Sequence, residues 1–121
     1  MKVFLFLLIL LMLSSVSLAQ QKIELKDISR HIGDSVVVCG KVFGGKYMES
    51  SVNQPTFLNV GAAYPQQPLT LVIWGAARKA FSYSPEKKFD HKNVCIMGKV
   101  ELFKGKPQIV IREEKQLMVI E

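Results

Sequence analysis

Cationic and aromatic side chains fall together in three stretches of this 121-residue chain. Lys46 and Tyr47 lie in a turn-rich stretch from Gly44 to Pro55, and Trp74 stands just before Arg78 and Lys79. Phe103, Lys104 and Lys106 surround a Lys104-Gly105 turn. Lysine and arginine neutralise phosphates in a salt-dependent way, and an aromatic face stacks on any base. The pairing suits single-stranded nucleic acid or another anionic oligomer. Lys41, Lys46, Arg78, Lys104 and Lys106 would meet the anion, with Tyr47, Trp74 and Phe103 stacking. A competing reading needs no ligand: exposed lysines blunt sheet edges, and aromatics in a small domain often have a packing role.

The other reactive groups form no catalytic pattern. Beyond residue 19 the chain holds three aspartates, seven glutamates and two histidines. None belongs to a Gly-x-Ser-x-Gly elbow, a His-Glu-x-x-His helix, a phosphate-cradling glycine loop or a calcium loop. The chain reads as non-enzymatic and without a cofactor. His31 and His91 each stand just before a strand. Together with Cys39 and Cys95 they would supply two imidazoles and two thiolates. The spacing lacks the short Cys-x-x-Cys or His-x-x-x-His pairs that pre-organise a metal, so no metal site is expected.

The elements that must position these groups begin after a leader. Lys2 is followed by the apolar run Val3 to Leu13, then by serines and small residues ending at Ser17 and Ala19. That is the three-part pattern of a secretory signal peptide cleaved after Ala19. The run is shorter than the roughly 20 apolar residues of a membrane span, so no span is expected once the leader is removed. Residues 20–121 then form a single domain with one core. Fifteen basic and ten acidic side chains remain, a net charge of +5 that mildly favours anionic partners. A secreted or periplasmic location is oxidising, which makes Cys39 and Cys95 candidates for a disulfide.

Residues 23–32 carry apolar side chains at Leu25, Ile28 and Ile32, one helical face closed by Gly33. From Ser35 the pattern alternates as a strand to Val42, and Gly44 to Pro55 reads as a long loop. Thr56–Val60 and Leu69–Trp74 are short strands, and Gly75–Phe81 is a short helix ended by Ser84-Pro85. Asn93–Phe103 is a long strand, turning at Lys104-Gly105 into Pro107–Ile111, and Gln116–Glu121 alternates again. Val37-Val38-Cys39-Gly40-Lys41-Val42 echoes Cys95-Ile96-Met97-Gly98-Lys99-Val100. Each copy places an inward glycine where a strand must bend.

This order is that of an all-β, five-stranded Greek-key OB-fold barrel. It has a short N-terminal helix and a short helix between strands three and four. The segments HIGDSVVVCGKV, PTFLNVGAAYPQQPLTLVIWG and NVCIMGKVELFKGKPQIVI resemble small exported bacterial OB-fold proteins with an anticodon-binding-like barrel. The resemblance implies the architecture, and nucleic-acid binding by analogy. The carboxylate and arginine cluster of staphylococcal-type nucleases has no counterpart here. In such a barrel the first and fourth strands are antiparallel neighbours, so Cys39 and Cys95 could bridge and stabilise the fold by roughly 4 kcal/mol. They could equally be two small side chains packed under the N-terminal helix. The alternative to an oligomer-binding role is a periplasmic or extracellular module for an envelope or extracellular protein, a peptide or a small ligand, as in exported stress proteins of similar layout.

Overall fold

The computed structural model describes residues 20–120. The leader and its cleavage site lie outside the described residues. Seven strands form one mixed sheet: β1 Gln21–Ile23, β2 Ser35–Tyr47, β3 Thr56–Val60, β4 Leu69–Ile73, β5 Asn93–Phe103, β6 Lys106–Val110 and β7 Leu117–Ile120. The order across the sheet is β1-β2-β3-β4-β6-β5-β7, with an additional β2–β5 pairing. The β1–β2 and β4–β6 pairs are parallel, and the rest are antiparallel.

The expected five-stranded Greek-key barrel is thereby corrected to a seven-stranded mixed sheet. The N-terminal helix is also different. Gln21–Ile23 joins the edge of β2 as β1, and Leu25–His31 is a 3-10 helix. Its inward side chains, Leu25 and Ile28, are three apart, while Ile32 is left exposed. Two short helices rather than one follow β4: α1 Gly75–Arg78 and α2 Pro85–Lys88. Pro85 does not simply stop a helix. It starts α2 from a first-turn position, where its missing N–H costs nothing.

The long strands β2 and β5 each serve two ladders. Residues 35–41 of β2 pair with residues 93–99 of β5, flanked by β1 and β7, and form a first layer. Residues 42–47 of β2 pair with β3, and residues 100–103 of β5 pair with β6, in a second layer that also holds β4. The repeated glycines stand near these changeovers. A Cβ on Gly40 would sit 2.8 Å from a Val60 methyl, and one on Gly98 would sit 2.5 Å from an Ile109 methyl. Only a bare Cα lets each strand bend that closely over the core.

Inward residues of both layers build one cluster: Val36, Val38, Val94 and Ile96 from the first, Leu58, Leu71, Ile73 and Ile109 from the second. Ile28 and Leu25 pack against it, as do Phe81, Tyr83 and Phe89, whose rings meet edge to face. Burial, with Glu114 close by, raises the Tyr83 phenol above its usual range.

Cys39 and Cys95 are register partners in the β2–β5 ladder and form a disulfide. Their Cα atoms are 4.0 Å apart, near the close-pair spacing of an antiparallel ladder. The bridged alternative therefore holds. The 3-10 helix does not cover them: Leu25 reaches Gly40 and Gly61 on the inward side. Among the described residues no helix is long and apolar enough to cross a membrane.

Candidate ligand-binding groove

Alternation along the strands sends one set of side chains, many of them polar or aromatic, to the outward face of the second layer. Asn59 and Thr70 are register partners, as are Thr70 and Gln108, so they form a row across β3, β4 and β6. Phe57 pairs with Lys46 one row away. β2 reaches this position through a bulge between Val42 and Gly45, where Gly44 takes a φ of +80°. The bulge is held on both sides: Gly44 N–H donates to Asp90 Oδ1 at 2.9 Å, and Asn59 Nδ2 donates to the Gly44 carbonyl at 3.3 Å.

Two segments wall the row and make a groove of about 660 Å³. One wall is the β5–β6 hairpin, with Phe103, Lys104, Lys106 and Pro107. Lys104 and Gly105 both have positive φ, the pairing a tight two-residue hairpin turn demands, so the turn projects as read from the sequence. Phe103 is 57% exposed, and Lys104 Nζ stands 5.4 Å from its ring centre. The other wall is the β3–β4 loop, which contributes Tyr64 and Gln67, with Met48 closing the end beyond β2. Gln67 Nε2 donates to Thr70 Oγ1 at 3.0 Å, while its carbonyl oxygen is buried without a donor. Among the described residues no carboxylate lines the groove. Glu101 is the register partner of Gln108.

Of the eight residues read from the sequence as ligand contacts, the groove gathers Lys46, Phe103, Lys104 and Lys106. The other four stand elsewhere. Lys41 is exposed on the first layer, its Nζ 5.4 Å from the Phe43 ring centre. Trp74, 41% exposed, lines a separate depression with Asn53, Gln54, Gly75, Ala76 and Lys79. Tyr47 and Arg78 engage one another, the guanidinium lying 3.7 Å from the Tyr47 ring centre. Arg78 also donates to Thr56 Oγ1 at 2.7 Å and makes a two-pronged pair with Glu86 at 2.8 and 3.1 Å. Burial alone would raise the Glu86 carboxyl. The Arg78 hydrogen bonds and charge, helped by a backbone N–H and Lys87, instead hold it below its usual range. This arrangement ties α1 and α2 to β2 and β3 and leaves Arg78 little freedom to meet an outside anion.

Phe57, Asn59, Tyr64, Gln67 and Thr70 also line the groove, although the sequence reading does not assign them to a ligand. The strand alternation contains the signal for two of them: Asn59 and Thr70 are polar positions between buried neighbours. Among the described residues no three histidine, cysteine, aspartate or glutamate side chains come together to hold a metal ion.

Comparison with known proteins rests on shape alone. No protein-family model matches the chain, and no curated protein matches its sequence. Its fold is similar to part of a protein described as an aspartyl-tRNA synthetase from Leishmania major Friedlin, with a TM-score of 0.53 and 8% identity. That match covers 88% of this chain and 22% of the other. It is also similar to yeast Stn1 and Ten1, with a TM-score of 0.59 and 10% identity, over 85% of this chain and 64% of the other. The chain thus spans less than two thirds of each of these two structures. At these identities the likeness is one of fold, to OB-fold-like domains.

Proposed function

We propose that the protein is a non-enzymatic binding module whose second-layer groove takes single-stranded nucleic acid, or another anionic oligomer that carries flat apolar groups. One observation carries this reading. Lys46, Lys104 and Lys106 stand around an amide and aromatic floor, and among the described residues no carboxylate joins the lining. Cations at the rim suit phosphates, and Phe57, Tyr64 and Phe103 offer faces for bases. An oligomer that is only charged would leave the apolar floor unused. The general kinship to OB-fold-like domains supports the reading by analogy.

The module acts, on this proposal, outside the cytoplasm, after removal of residues 1–19. Its oligomer would come from the medium or the envelope. A second reading shares the groove: the same apolar floor suits a peptide of an envelope protein. The test is fluorescence anisotropy with a labelled 12-nucleotide single strand. Phe103→Ala is expected to weaken binding by about 1–3 kcal/mol, the usual value of one stacked base. Absence of binding at low salt would reject the nucleic-acid reading, and recovery of an envelope peptide displaced by Phe103→Ala would favour the second.

A further inference from the structure

The outward face of the first layer is a second surface, on strands the groove does not use. Register places Lys22 beside Val37, Val37 beside Met97, Cys39 beside Cys95, and Cys95 beside Met118. Val37, Met97 and the disulfide are half-buried, Met118 is 60% exposed and Ile120 is 40% exposed. The centre of this face is therefore an apolar strip that nothing among the described residues covers. Lys22, Lys41 and Lys99, all exposed, stand around it. The paired segments 21–23, 35–41, 93–99 and 117–120 contain no aspartate or glutamate, and the acidic residues Glu24, Asp34, Glu101 and Glu121 lie just beyond their ends in the sequence.

We infer that this face docks on an anionic lipid surface. An apolar strip removes area from water when it meets acyl chains, and lysines bury their stems while holding the ammonium at the headgroups. Opposite charge at the rim selects an anionic leaflet. The same rim disfavours a second copy of the chain, because a face-to-face pair would set lysines against lysines.

The chain carries methionines that read the two faces separately: Met97 and Met118 on the strip, Met48 in the groove. The chain from residue 20 on, with labelled methionine methyl groups, would be mixed with vesicles of phosphatidylglycerol and phosphatidylcholine, one to three, doped with a spin-labelled lipid. Expected is broadening of Met97 and Met118 with Met48 spared, lost in pure phosphatidylcholine. Replacing Lys22, Lys41 and Lys99 together by glutamine is expected to lower partitioning about 100-fold, roughly fivefold for each lysine. A melt by circular dichroism would check that this variant folds, and the wild-type methyl pattern stands without it. Equal broadening of Met48, no broadening at all, or partitioning unchanged in the variant would overturn the inference. Concentration-dependent shifts of Met97 and Met118 without lipid would overturn it in favour of self-association, and shifts caused only by an acidic protein would do so in favour of a protein partner.

Discussion

Replacing Cys39 and Cys95 together by alanine removes the covalent tie within the β2–β5 ladder of the first layer. The bridge spans a sequence separation of 56. In the chain-entropy treatment a loop of that size loses about 14 cal/mol/K from the unfolded ensemble, or about 4 kcal/mol at 25 °C. The ladder itself stays paired by backbone hydrogen bonds, so the loss is expected in stability more than in fold. For a domain of about 100 residues each kcal/mol shifts the melting midpoint by roughly 4–8 °C, which places the double variant about 15–30 °C below the wild type. Urea unfolding followed by circular dichroism measures both the free energy and its slope. The slope should rise, because the uncrosslinked unfolded chain exposes more surface. A loss below about 1 kcal/mol with an unchanged slope would refute the entropic reasoning. Two titratable thiols in denatured, non-reduced wild-type protein would refute the bridge itself.

Arg78→Met is expected to destabilise by about 1–3 kcal/mol, because Glu86 is left with a half-buried, unpaired charge and Tyr47 loses its cover. Chemical denaturation measures that loss, and oligonucleotide affinity of the folded variant should stay within about twofold of the wild type. The Glu86 carboxyl is held below its ordinary value of 4.5 in the folded state, so its contribution is present above that value and is lost as pH falls through the lower, folded one. The wild type should therefore lose more stability between pH 7 and pH 3 than Glu86→Gln does, and equal losses would contradict this.

Much of the strand layout was legible because alternation is a strong local signal. Thr56–Val60 and Asn93–Phe103 have the bounds read from the sequence, and the paired glycines at 40 and 98 bend strands as the repeat suggests. What failed depended on long-range partners. Gln21–Ile23 is polar at two of three positions and becomes a strand only because the β2 edge is open to it. Gly44 to Tyr47 looked like loop because two glycines and a lysine mask a bulged strand end, held by Asp90 from far along the chain. The same blindness affected the site. Arg78 has an anion-binding side chain in sequence, but Glu86 eight residues away takes both its prongs. The Lys104-Gly105 turn was readable because its geometry is local. The polar row of Asn59, Thr70 and Gln108 needs the parallel β4–β6 pairing, which no local pattern encodes.

The groove is tested most directly by the salt dependence of single-strand binding in the wild type and in the Lys104→Ala/Lys106→Ala variant. Each phosphate contact on a single strand contributes about 0.7 to the slope of log affinity against log salt. The wild type should show a negative slope, and removing the two hairpin lysines should reduce its magnitude by about 1.4 without unfolding the protein. Binding whose slope is the same in both proteins, or no binding at low salt, would contradict a nucleic-acid groove between the hairpin and the β3–β4 loop.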